Sequence, residues 1–440
     1  MAAADIRAIA LGLLNEYESL GKYVNLSLTS HKTDSLSAEE RAALTALLYT
    51  AVEHKLTYDY YIGALSGRSL DKIDPVTKNI LRLGLCQLLD MDSIPTFAAV
   101  NETVKLARGR GERGFVNGIL READRRRDAL PLPPREKNAA RYLSVKYSFP
   151  QWIVKKYISL FGEEGCESLL LHYSAIAPTD LTVNLTKISR EAFLEKLKGD
   201  GYSAALSPYS PISVRIFGSV DPRRIPGFSE GEFFVQDASS AAATAVLMPK
   251  AGDILVDACA CPGGKSFAAT VLMKGEGEVH SFDLHESKLS LIEDGARRLG
   301  LSAIAVGECD AREGDSTLFG KADRVICDVP CSGLGVLAKK PDLRYKREED
   351  ALTLPELQYE ILSTSAKYLK AGGRMIYSTC TLLPEENGDV VDRFISENPG
   401  YRTVDFKIGD ESSEGGKFTF VPHIHKTDGF FVSLIEKEKI

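Results

Sequence analysis

From residue 241 to the C-terminus, short apolar stretches alternate with helical ones, and this rhythm limits the fold more than any other feature. The apolar stretches are ILVDAC (254–259), EVHSFDL (278–284), AIAVGECD (303–310), RVICDVPC (324–331) and RMIYSTC (374–380), with FFVSLIE (430–436) last. Between them lie segments of helical period, such as PELQYEILSTSAKYLKAGG, with Pro355 at its start and Gly372 past its end. Strands separated by helices cannot pair as hairpins. They pair in parallel, with helices covering both faces of the sheet. The expected fold is therefore an α/β, Rossmann-like doubly wound sheet over residues 232–440. In such a sheet ligands bind outside the carboxyl ends of the strands, so the residues ending each strand are the candidates for function.

The preceding chain differs. Residues 5–130 read as helical throughout, with apolar residues at three- and four-residue spacing in IRAIALGLLNEY, AALTALLYTAVEHKL, TKNILRLGLCQLLDM and FAAVNETVKLA. Asp74-Pro75 has the form of a helix start. Between Lys105 and Arg127 lie eight Lys/Arg against three Asp/Glu. This run reads either as a solvated helix face or as a contact for phosphates. LPLPPREKN (130–138) is a proline-rich linker. Residues 139–231 form a smaller α/β segment: FPQWIVKKYISLFG and CESLLLHYSA read as helices, and DLTVNLT, SPISVRIFG and GEFFVQD as strands. The expected domains are all-α 1–135, small α/β 139–231 and doubly wound 232–440.

Of the 440 residues 44% are hydrophobic and 26% charged, as in soluble globular proteins. No apolar run approaches the ~20 residues of a membrane helix. The N-terminus, MAAADIRAIALGLLNEY, reads as an amphipathic helix and not a signal peptide. These features lead to the expectation of a cytoplasmic protein without membrane attachment. The eight cysteines are scattered and include no CxxC pair, so neither a disulfide framework nor a metal site is expected. Net charge is −7, so any nucleic-acid contact must rest on local basic residues.

The first strand runs into DACACPGGKS (257–266), whose glycines permit a sharp turn before the next helix. Walker A fails here, because Cys259 stands where its first glycine belongs, and GxGxxG is absent. Asp283 ends the second strand twenty residues past Gly263, a spacing that suits ribose hydroxyls, and Asp310 ends the third. One strand-end aspartate alone is more often a turn or helix cap. Acids at successive strand ends point to a nucleoside ligand without polyphosphate, a description that S-adenosylmethionine meets.

The fourth strand ends in DVPCSG (328–333) and the fifth in STC (378–380), which sets two cysteines on the same rim. A lone cysteine there would read as a small core residue. Two point to thiol chemistry. Carbon 5 of cytosine is a poor nucleophile, but a thiolate added to carbon 6 makes the ring an enamine able to attack an electrophilic methyl group. Such a site must also help the thiol, ordinarily protonated at neutral pH, to lose its proton.

DACACPGGK, DVPCSG, PDLRYKR, YSTCTLLPEEN and HIHKTDGFFVSLI resemble the signature set of RNA cytosine-5 methyltransferases. The helical N-terminal segment resembles the NusB-type RNA-binding domain. The combination is similar to the bacterial RsmB (Sun/Fmu) family, over nearly the whole chain. The resemblance implies methylation of a cytosine in 16S ribosomal RNA, with the small-subunit RNA and not the finished ribosome as partner; no protein partner is implied. It makes Cys380 the nucleophile and gives Cys331 the release of the adduct. Cys259, Ala260, Cys261, Pro262, Gly263, Gly264, Lys265, Asp283 and Asp310 would hold the cofactor. Asp328 would lie between cofactor and base, and Lys265 would join the active site or serve as a helix-start contact. Two departures stand out: Cys261 replaces the usual alanine, and Thr381 replaces a common serine. LPEEN reads simply as Pro384 and two acids opening a helix. Lys339, Lys340, Arg344, Lys346 and Arg347 are expected along the RNA backbone, interrupted by acids. The target base must leave its stack to react.

Other classes remain. A methyltransferase acting on an amine would leave both strand-end cysteines without a task. A retired, purely RNA-binding domain should have lost Cys380 or Asp328. A DNA cytosine-5 enzyme would use the other cysteine as nucleophile.

Overall fold

The computed structural model describes residues 5–20, 33, 36–218 and 220–439. The parts of the expected helical region at 21–32 and 34–35, and residues 1–4 of the N-terminus, lie outside them. The chain forms two compact units: Met1–Leu171 with Lys340–Tyr345, and His172–Lys339 with Lys346–Ile440.

The first unit is helical. Its helices include Ile6–Leu20, Ala38–Glu53, Lys55–Ser66, Pro75–Leu89, Thr96–Lys105, Arg110–Arg125 and Ala139–Tyr147. Pro75–Leu89 is the central one and is buried through most of its length. Asp74 caps it by accepting the Thr77 N–H at 3.0 Å, and Pro75 occupies the first turn, as the sequence predicts. Helix Arg110–Arg125 buries only Val116, Ile119, Leu120 and Ala123, which leaves its arginines on the solvent side. The segment read as two helices after the linker is Gln151–Tyr173, interrupted at Gly162, where φ is 70°.

Lys340–Tyr345 packs within this unit. Arg344 is fully buried, its guanidinium 4.1 Å from the Phe149 ring centre and bonded to the Glu53 carbonyl at 3.3 Å. The Tyr345 hydroxyl donates to the Val52 carbonyl at 2.8 Å.

The second unit holds two larger sheets. In the smaller one, β1 (Thr179–Val183), β2 (Ala204–Leu206), β3 (Ser213–Ile216) and β4 (Phe233–Val235) lie in the order β2-β3-β1-β4, all antiparallel. The main sheet contains β5 (Ile254–Asp257), β6 (Glu278–Asp283), β7 (Ile304–Glu308), β8 (Ala322–Asp328) and β9 (Leu369–Thr379), paired in parallel. After β9 come β10 (Tyr401–Thr403), the small pair β11 (Lys407–Ile408) and β12 (Glu411–Ser412), then β13 (Lys417–Phe420) and β14 (Phe430–Lys437). The order is β10-β14-β9-β8-β5-β6-β7, with β14 antiparallel to β9 and β13 added on β14. The expected doubly wound sheet is present, with an antiparallel edge.

One boundary differs from the sequence reading. The helix expected to run to Gly372 is Leu354–Lys367, and β9 begins at Leu369, paired with Ala322. Gly372 (φ 75°) therefore sits in a strand whose register shifts, not at a helix end.

The burial of Arg344 generates a test. Arg344→Ala should destabilise the helical unit by roughly 2–5 kcal/mol, because it removes a fully buried side chain from the Phe149 ring and the Glu53 carbonyl and leaves a cavity. Urea denaturation would read this; an unchanged midpoint with weaker RNA binding would return Arg344 to the RNA surface.

Candidate active site

The site is set by the parallel pairing of β8 with β9. Asp328, the last residue of β8, is opposite Ser378 of β9. Each strand then turns into a loop carrying a cysteine, and the Cys331 and Cys380 sulfurs are 3.2 Å apart. The hydrogen bond to Cys380, with burial and neighbouring negative charge, pushes the Cys331 thiol up from its ordinary value.

Asp328 is held from two sides. Its Oδ2 accepts from Lys265 Nζ at 2.6 Å and its Oδ1 from Ser378 Oγ at 2.6 Å. Lys265, on the first turn of helix Gly264–Leu272, is buried, and its Nζ lies 4.9 Å from the Phe430 ring centre. The fold thus brings four predicted residues, Lys265, Asp328, Cys331 and Cys380, to one rim.

The loop 258–264 leaves β5 on the same side. Ala260 N–H donates to the Phe282 carbonyl at 2.7 Å, tying the loop to β6. Gly263 adopts φ 107°, and a Cβ there would strike the Phe267 ring, so only glycine makes this entry into the helix. Asp283 accepts the backbone N–H groups of Cys261 (3.3 Å) and His285 (3.1 Å), which leaves its carboxylate lone pairs for two hydroxyls. Asp310 lies two residues past β7, and its carboxylate is paired with Arg312, which holds its carboxyl below the usual range. This donor set, acidic and without a phosphate loop, fits a nucleoside with a cationic tail, as in S-adenosylmethionine.

Several of these supports escaped the sequence reading. Ser332 Oγ donates to Thr381 Oγ1 at 2.8 Å, so the residues following the two cysteines are joined. Gly335 N–H donates to the Cys380 carbonyl at 2.8 Å, and a Cβ on Gly335 would lie 1.9 Å from the Gly429 carbonyl oxygen. LPEEN does not simply open a helix with solvated acids. Pro384–Glu386 is a short 3-10 turn, and Glu386 is 1% exposed. Its position directly after the second cysteine motif was the available signal.

The expected RNA-backbone residues need correction. Lys339 Nζ bridges Asp237 (2.6 Å) and Asp428 (2.9 Å), and Lys346 Nζ donates to the Ser332 carbonyl at 2.9 Å. With Arg344 buried, three of the five cations are committed to the fold; Lys340 and Arg347 are exposed, the latter paired with Asp350. Acids, carbonyls and a ring supplied by other segments account for this, and the local sequence does not display them.

Asp257 ends β5 beneath this rim. Its Oδ2 accepts from Ser266 Oγ at 2.7 Å and its buried Oδ1 has no partner. Burial pushes its carboxyl up to about 7. Between the ordinary carboxylate range and about pH 7, the unfolded chain has released this proton and the folded protein keeps it. Asp257 therefore costs stability increasingly as the pH rises through that window. The stability of Asp257→Asn relative to wild type, from urea denaturation, should climb between about pH 4.5 and 7 and level off above. A pH-independent difference would show that Asp257 ionises in the fold as it does in water.

Comparison with known proteins agrees with this architecture. A family model described as 16S rRNA methyltransferase RsmB/F matches residues 244–436, the NusB family matches 4–125, and a ferredoxin-like domain of RsmF/B-like methyltransferases matches 149–222. The chain is 34% identical to "Probable ribosomal RNA small subunit methyltransferase B" of Bacillus subtilis, over 100% of both chains. It is 30% identical to "Ribosomal RNA small subunit methyltransferase B" of Vibrio vulnificus, over 99% of this chain and 100% of the relative. Among solved structures, a methyltransferase homolog protein from Pyrococcus horikoshii superposes with a TM-score of 0.60 at 26% identity, over 68% of this chain and 99% of that one. Among the described residues, no helix is long and apolar enough to cross a membrane. By full-length similarity at this level, the chain belongs to the ribosomal RNA small subunit methyltransferase B family, whose methyl donor is S-adenosylmethionine.

Proposed function

We propose that this chain is a cytoplasmic enzyme that methylates carbon 5 of a cytosine in 16S ribosomal RNA through a covalent bond from Cys380 to carbon 6. The observation that carries this reading is the pair of sulfurs 3.2 Å apart, beside the Lys265–Asp328 ion pair. An amine-directed methyltransferase has no need of two adjoining thiols.

The roles follow from the positions. The loop from Cys259 to Lys265, with Asp283 and Asp310, holds the cofactor, which supplies an electrophilic methyl group. Asp328, kept in place by Lys265 and Ser378, bonds the cytosine ring and orients it. Cys380 adds to carbon 6, and the ring electrons move to carbon 5, which takes the methyl group. Loss of the carbon-5 proton and cleavage of the sulfur–carbon bond restore the aromatic ring. Cys331 serves that last stage as the donor beside the departing Cys380 sulfur. Arg108–Arg127 on the helical unit supply affinity for the RNA backbone.

The two cysteines separate by experiment. Cys380→Ala should bind S-adenosylmethionine normally, give no methylation and form no covalent adduct. Cys331→Ala should accumulate a protein–RNA species that survives denaturing electrophoresis and disappears in the double variant. The opposite pattern would swap the roles. Asp283→Ala should weaken S-adenosylmethionine binding by roughly 1.5–3 kcal/mol, as for hydrogen bonds to a charged group; unchanged affinity by calorimetry would remove Asp283 from the cofactor site.

A further inference from the structure

Two thiols at 3.2 Å are nearly equivalent by distance, yet the reaction needs them to differ: one must carry the electron pair and the other the proton. The structure contains a marked asymmetry around them. Glu386 and Gln358, both buried, clamp the backbone on either side of Cys331. Glu386 Oε2 accepts the Ser332 N–H at 2.8 Å and Gln358 Nε2 at 2.9 Å, and Gln358 Nε2 also donates to the Pro330 carbonyl at 2.9 Å. Glu386 Oε1 is buried without a hydrogen-bond partner. The backbone carbonyl of Glu386 accepts from Tyr377, on the strand that ends at the second cysteine, at 2.6 Å. A carboxylate therefore adjoins the Cys331 loop from a turn anchored to the strand of Cys380.

We propose that Glu386 is the positioning residue that assigns the two thiols their roles, its charge keeping the proton on Cys331 so that Cys380 carries the electron pair. This rests on the covalent reading above. When one proton has left the pair for solvent water, the remaining one is shared across the sulfurs. A negative charge beside Cys331 raises the energy of the thiolate there, so the Cys380 thiolate attacks carbon 6. After methyl transfer, carbon 5 gives its proton to solvent water, the C–H electron pair forms the carbon 5–carbon 6 double bond, and the sulfur–carbon bond breaks with its pair returning to Cys380. The Cys331 S–H then faces that thiolate as a hydrogen-bond donor, and no net proton is consumed in the release. With the other groups around Cys331 included, the net direction for its thiol is still upward. Asp328 has the same sign as Glu386 and is paired with Lys265, and Tyr377 is bonded to a carbonyl. Lys346, the opposing cation, donates to the Cys331 and Ser332 carbonyls.

Glu386→Gln keeps the shape of the clamp and removes the charge. It is expected to retain S-adenosylmethionine affinity and RNA KM within about twofold while kcat falls roughly tenfold to hundredfold. It should also accumulate a Cys380-dependent covalent adduct and move the alkaline limb of the kcat profile down by about one pH unit or more. Glu386→Asp, which keeps the charge, should restore most of kcat. A wild-type kcat and pH profile for Glu386→Gln overturns the proposal, as does failure of Glu386→Asp to outperform it. The wild-type protein keeps the proposal falsifiable even if neither variant folds: iodoacetamide near pH 8 should alkylate Cys380 before Cys331, and the reverse order overturns it. Cys380→Ala in the same assay keeps the two readings apart. Methylation by that variant sinks the covalent mechanism itself, whereas an inactive Cys380→Ala beside a normal Glu386→Gln sinks only the role of Glu386.

Discussion

The site depends on one backbone pairing, the parallel register that sets Asp328 of β8 beside Ser378 of β9. Parallel strands end at the same edge of a sheet, so the loops leaving them start as neighbours. Cys331 and Cys380 follow those strand ends by only three and two residues beyond the paired positions, too short a stretch for the loops to diverge. A slip of one residue would turn Ser378 and the residues after it toward the other face. The Ser378 bond to Asp328 would be lost with it.

The loops are then fixed far more tightly than their length suggests. Glycine at 335 lets the loop after Cys331 lie against the Cys380 carbonyl and Gly429, with no room for a Cβ. Ser332 is bonded to Thr381, and Lys346 closes the loop from its far end. Each bond is modest alone, but a network of buried ones holds a single geometry. The proposed chemistry, which needs two sulfurs and a carboxylate at fixed distances from one ring, depends on such a geometry.

Charge does two different jobs in this chain. The net charge is −7, and several cations are spent in the interior or against partners. Arg344 stacks on Phe149, Arg82 is paired with Asp59 at 2.7 Å and Arg215 with Asp180 at 2.7 Å. Helix Arg110–Arg125 carries several of the surface arginines, because its apolar stripe is narrow and its remaining faces are solvated. On the proposed reading, affinity for the RNA backbone and alignment of the base fall to separate sets of basic residues.

The strand–helix rhythm, the acids and cysteines at strand ends and the helical first region were all legible in the sequence, because period and punctuation are local properties of the chain. The rim shared by Lys265, Asp328, Cys331 and Cys380 was legible too, since parallel topology alone puts strand ends together. The roles of Glu386, Ser378, Gln358 and Lys346 were not. Glu386 in LPEEN is indistinguishable from a solvated helix-opening acid until Gln358, 28 residues away, and Ser332, 54 residues away, are seen to bond it. Arg344 likewise looks like an RNA contact until Phe149 and Glu53 close over it. Sequence pattern reports whether a side chain faces inward or outward on its own element. Whether a charge ends in water or against a partner is decided by segments that only tertiary packing brings near.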